Sequence, residues 1–72
     1  MTDIKRSTYR KYGTAVKRAS LGRYVAWATH GRTTGENPLE EPGETWFQLG
    51  RSEEEALSKL HAELDSLGAI FV

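Results

Sequence analysis

The chain has 72 residues and no cysteine, which excludes a disulfide framework and a thiolate metal site. It has few prolines: both lie between residues 38 and 42, so nothing breaks the patterns on either side. No apolar run approaches the roughly 18 residues of a membrane span. The first residues, "MTDIKRSTYRKYG", carry no apolar core of a secretory leader. These absences lead us to expect a cytoplasmic protein away from membranes. Glycine spacings for a phosphate loop or a dinucleotide fold do not occur.

Net charge is absent as an average but not locally. Residues 1–32 hold eight bases, Lys5, Arg6, Arg10, Lys11, Lys17, Arg18, Arg23 and Arg32, against one acid, Asp3. Residues 33–72 hold nine acids and two bases. The halves therefore carry about +7 and −7. Such asymmetry describes either a molecule with a basic end for nucleic acid or an acidic protein surface, or two halves that neutralise each other within the fold.

The clearest pattern is "LGRSEEEALSKLHAELDSLG", Leu49 to Gly68. Ser52 is a candidate N-cap, and Glu55 stands three residues on, where a capping box requires it. Glu53, Glu54 and Glu55 set negative charge on the positive end of the helix dipole. Leu57, Leu60, Leu64 and Leu67 recur at helical spacing as one apolar stripe. Gly68 is placed to end the helix with a left-handed cap.

Residues 1–11 read as a basic, irregular lead, and residues 12–72 as one domain. Tyr12 to Ala19 supports a first strand, and Ser20, Leu21 and Gly22 a hairpin turn, with Gly22 free to take positive φ. "RYVAWAT", Arg23 to Thr29, is a second strand rich in β-favouring residues. His30 to Glu44 is a long connection with three glycines and both prolines, anchored by Leu39. "TWFQL", Thr45 to Leu49, is a third strand, and "AIFV", Ala69 to Val72, a short terminal one. The expected architecture is α+β: a three-stranded antiparallel sheet plus a short terminal strand, with one helix packed on one face, in the order β-β-β-α-β.

Strand alternation puts Phe47 and Leu49 together, and we assign them to the core under the helix. Trp46 then points outward. On the second strand Ala26 and Ala28 would let a helix sit close, which sends Trp27 outward beside Trp46; the opposite choice sends Tyr24. Either way the outer face carries two aromatic rings, a surface for a partner or a homodimer. The competing possibility is that the long connection or the N-terminal lead folds over it.

Candidate chemistry is thin. His61 and Asp65 stand four residues apart on the helix, too few ligands for a metal site, and His30 has no recognisable partner for acid–base work. Neither a catalytic set, nor a metal, nor a cofactor is expected. In "KRSTYRKYGTAVKR", Arg10, Lys11, Lys17 and Arg18 can neutralise phosphates while Tyr9 or Tyr12 stacks on bases. RNA or DNA contact through this half is therefore the alternative reading.

Taken together, "GRYVAW", a proline-bearing connection and "LGRSEEEALSKLHAEL" resemble the N-terminal domain of HicB-type antitoxins. Gly22, Tyr24, Val25 and Ala26 align with that family's "GYYVA"-like strand, and Gly50, Ser52, Glu54, Glu55, Ala56 and Leu57 with its "GDTxEEAL" segment. The resemblance spans roughly residues 14–72. It implies a partial ribonuclease-H-like fold without catalytic acids. It also implies a non-catalytic inhibitor of a small toxin ribonuclease, or, in a phage or mobile-element setting, of a host nuclease complex. The partner-binding residues we expect are Arg10, Lys11, Lys17, Arg18 and Arg23 on the lead and first hairpin, with Trp27, Arg32 and Trp46 on the outer face and connection.

Overall fold

The computed structural model describes residues 3–70. Four strands and one long helix follow in order: β1 (Lys5–Tyr9), β2 (Tyr12–Ser20), β3 (Arg23–Thr29), β4 (Thr45–Gly50) and α1 (Glu53–Ile70). A 3₁₀ turn, Pro38–Glu40, interrupts the β3–β4 connection. The sheet is antiparallel throughout in the order β1-β2-β3-β4, and α1 packs on one face of it. The fold is α+β, as expected.

The fourth strand is not where it was expected. It is β1, inside the lead read as irregular, and it pairs with β2 from Lys5↔Val16 to Tyr9↔Tyr12. The expected terminal strand begins at Ala69, but α1 runs through Gly68 to Ile70, and residues 71 and 72 lie outside the described residues. Gly68 therefore does not stop the helix. A glycine inside a helix costs only about 1 kcal/mol, which the packing of the preceding leucines outweighs.

The helix start is as the sequence reads. Ser52 Oγ accepts from the Glu55 amide at 3.1 Å, and Glu55 Oε1 accepts in return from the Arg51 amide at 3.1 Å. Ala56, Leu60 and Leu64 are fully buried, with Leu57 and Leu67 flanking them. They rest on Val16, Ala26 and Ala28, so the small side chains of β3 do bring the helix close. Each buried leucine contributes about 1.5–3 kcal/mol by leaving water. Gly50 completes the approach: a Cβ there would stand 2.5 Å from the Ala56 nitrogen. The β2–β3 turn uses Gly22 at φ 73°, beside a bulge between Arg18 and Ser20.

The phase of β4 is the reverse of the expected one. Trp46 pairs with Ala28, Gln48 with Ala26 and Gly50 with Tyr24, so these residues share the helix face. Phe47 and Leu49 pair with Trp27 and Val25 on the reverse face, where they are 52% and 44% exposed. Alternation alone favoured the two apolar residues for the core. Backbone approach decided otherwise, because only the Gly50 side of the strand admits the first turn of α1.

Candidate functional site

The reverse face is closed over its centre by the protein's own chain. Trp27 there is 0% exposed and packs with Ala15, Val25 and Ile4. Its indole Nε1 donates to Glu41 Oε2 at 2.8 Å. Glu41 belongs to the β3–β4 connection, which crosses this face with Thr33, Gly35 and Glu41 buried. The Glu41 carboxylate also accepts from the Thr34 amide at 2.8 Å and the Gly35 amide at 3.1 Å. Burial pushes its pKa up, but the bonds from Thr34, Trp27 and Gly35 outweigh it, and the net shift is downward. Arg6 fastens the same segment from β1: Nη1 donates to Thr33 Oγ1 at 2.8 Å and Nη2 to the Gly35 carbonyl at 3.0 Å. Lys17 donates to the Glu36 carbonyl, with its ammonium 5.9 Å from the Trp27 ring centroid.

The aromatic surface expected from Trp27 and Trp46 does not exist. Trp27 is covered, and Trp46 lies half-buried on the opposite face, edge-on to Tyr12 at 5.5 Å and to His30 at 5.0 Å. Trp27 therefore cannot itself meet a partner while the connection is closed. What the reverse face leaves open is its β4 margin, with Phe47 and Leu49.

The basic residues are not gathered into one patch. Arg10 and Lys11 form the β1–β2 turn at one end of the sheet, and Arg18 and Arg23 flank the β2–β3 turn at the other. Lys11 and Arg18 are seven residues apart along one strand, or roughly 23 Å. Arg10, at φ 57°, binds Asp65 through Nε at 2.6 Å. Tyr9 donates to the same carboxylate at 2.9 Å and stacks on His61 at 3.9 Å. The hydrogen bond from Tyr9, aided by Arg10, holds Asp65 below its ordinary pKa. Lys5 pairs with Glu53 at 3.0 Å. Among the described residues, these are the two Lys or Arg ion pairs linking the basic and acidic halves; Lys11, Arg18, Arg23 and Arg32 have no carboxylate within 4.0 Å. Neutralisation within the fold is therefore partial.

At the β2–β3 end the cations gather. Arg23, Arg51 and Lys59 line a cleft of about 190 Å³ with Leu49, Gly50 and Glu55. Leu21, at the tip of the adjacent turn, is 87% exposed. Arg18 and Arg23 were expected to make contacts here; Arg51 was not, because it sits at the head of the acidic half. Glu41 was missed as well, since a carboxylate tied to backbone amides leaves no periodic signal. Among the described residues, no group of three or more His, Asp or Glu side chains could hold a metal ion, and no helix is long and apolar enough to cross a membrane.

Fold and surface thus define an α+β scaffold with one self-covered sheet face, basic side chains at both ends of the sheet and one open apolar margin. No family model, curated protein or solved structure matches the chain.

Proposed function

We propose that this chain is a small, non-catalytic, cytoplasmic binding protein that inhibits a partner protein by covering its surface, and that it acts as a homodimer. The resemblance to HicB-type antitoxin domains suggests the kind of partner: a small toxin ribonuclease or a nuclease complex. The observation that carries the reading is the β2–β3 end of the sheet. Arg18 and Arg23 stand free of carboxylates on either side of an exposed Leu21. Cations around an apolar tip suit a protein surface that bears carboxylates and an apolar recess.

Affinity capture from the cell of origin tests this, using the wild type and an Arg18→Glu, Arg23→Glu double variant. Both side chains are exposed, so the fold should keep its stability within about 0.5 kcal/mol. The expected result is a nuclease retained by the wild type, lost by the variant, and slowed when the wild type is added back. Retention of RNA or DNA instead, weakening steeply with salt, would replace this reading with the nucleic-acid one.

A further inference from the structure

We infer that the free edge of β4 is the self-association surface, onto which a second copy of this chain adds its own β4, antiparallel across a twofold axis, to make one eight-stranded sheet from two four-stranded ones. This rests on the homodimer proposed above and says where it forms.

The two edges of the sheet are built differently. The β1 edge carries Lys5 and Arg6, charges of the kind that keep an edge from pairing with another chain. The β4 edge, "TWFQLG", carries no charge in a chain that is 28% charged. It has no proline, and its pairing with β3 runs from Tyr24↔Gly50 to Thr29↔Thr45 without a bulge. Among the described residues, the side chain of another element that reaches its backbone is Lys59, whose Nζ lies 3.3 Å from the Leu49 carbonyl oxygen. Lys59 is itself half-exposed and its Nζ also lies 3.6 Å from Glu55 Oε1, so it can release the carbonyl and keep Glu55 as its partner. Phe47 and Leu49 are open on the reverse face, and Leu39, on the 3₁₀ turn that abuts β4, is 94% exposed.

The strand is complementary to itself. Any antiparallel register with a residue on the twofold axis keeps the faces matched, and two of these centre the pairing on the strand. With Phe47 on the axis, each Thr45 lies opposite a Leu49. With Gln48 on the axis, each Phe47 lies opposite a Leu49. Both registers join the apolar side chains of the two copies on one face. The strand is also bracketed by opposite charges, Glu44 before it and Arg51 after it. Antiparallel pairing brings the Glu44 of each copy within one residue of alignment with the Arg51 of the other, at both ends of the junction. A parallel arrangement would set like charges side by side. This charge complementarity selects a second copy over an unrelated strand.

Sedimentation equilibrium over a concentration series tests the inference on the full chain alone. The mass should rise from 8.1 kDa toward twice that value. Phe47→Lys and Leu49→Lys should each hold the chain monomeric with an unchanged circular dichroism spectrum, since both side chains are already about half in water. Glu44→Arg should weaken the dimer about tenfold, and adding Arg51→Glu should restore it. A wild type that stays monomeric up to about 1 mM overturns the inference. So does a dimer indifferent to both lysine variants, or one that the double charge swap fails to rescue. Dimerisation and partner binding separate in the Arg18→Glu, Arg23→Glu variant, which should dimerise as the wild type does while losing the captured nuclease.

Discussion

Trp27 and Glu41, fourteen residues apart, hold each other inside the protein: the buried indole donates to the buried carboxylate at 2.8 Å. The bond ties a connection with no long regular element of its own onto the centre of the sheet. Four donors in all converge on the carboxylate: the Trp27 indole, the Thr34 and Gly35 amides and the Thr34 hydroxyl. They replace the water a buried charge would otherwise lose. Every buried side-chain polar atom among the described residues has a partner, so the arrangement leaves no orphan to weaken it.

Glu41→Ala should therefore cost more than an ordinary surface change. It strands the buried Gly35 amide and the Trp27 indole and takes an acceptor from the Thr34 amide, for a loss of about 3–5 kcal/mol. Glu41→Gln keeps an acceptor oxygen for the Trp27 indole and the Gly35 amide but puts a donor in the place of Oε1, facing the Thr34 amide, and should cost about 1–2 kcal/mol. Urea denaturation gives both values. Trp27 fluorescence, shifting to the red as the connection lifts, identifies where the loss occurs.

Acid should open the same clamp. Glu41 titrates below its ordinary value in the folded chain, and so does Asp65. A depressed carboxylate contributes stability that is present above its unfolded pKa, near 4.3 for Glu and 3.9 for Asp, on the order given by model peptides. That contribution is lost as pH falls through the lower folded values. Melting temperature should be flat from neutrality to about pH 5 and then fall as pH drops further. In Glu41→Gln the fall should be shallower. An unchanged profile in that variant would assign the acid sensitivity to other carboxylates.

Removing the tryptophans should unfold the protein before it disturbs binding. Trp27→Ala empties the centre of the reverse face and should cost about 3–5 kcal/mol. Trp46→Ala, half-buried against Tyr12 and His30, should cost about 1–2 kcal/mol. The reading of these residues as a free aromatic surface predicts the opposite, weakened association with the fold intact. Thermal melts of the two variants separate the outcomes.

The helix was legible because three independent signals agree on it: the Ser52–Glu55 cap, the acidic first turn and the leucine period. The β3 faces were legible too, since Ala26 and Ala28 leave room for a helix that Val25 and Trp27 do not. β1 was hidden by its charge. It is an edge strand whose outer backbone faces water, so it needs no apolar alternation. The phase of β4 was hidden because Trp46, Phe47 and Leu49 are apolar on both faces, and the deciding residue is Gly50, whose absence of a side chain is silent in a hydrophobicity pattern. The closure of the reverse face depends on hydrogen bonds from Arg6, Thr34 and Gly35 across the connection, which no spacing in the sequence announces.

Gly50 and Gly13 offer the most local test of how the layers meet. A Cβ on Gly50 would lie 2.5 Å from the Ala56 nitrogen and 3.0 Å from its Cα, all backbone of the first helical turn. A Cβ on Gly13 would lie 1.7 Å from the Gly31 carbonyl oxygen, where the connection starts across the reverse face. Gly50→Ala should thus push α1 off the sheet, at a cost of about 1–3 kcal/mol. Gly13→Ala should displace the connection, cost at least as much, and shift Trp27 fluorescence to the red, which Gly50→Ala should not do. Gly22→Ala meets no atom within 4 Å and pays only for φ 73°, about 1 kcal/mol. Urea midpoints for the three variants should rank Gly22→Ala as the mildest. If Gly13→Ala matched it and left the fluorescence unmoved, the connection would not be seated on β2 as described.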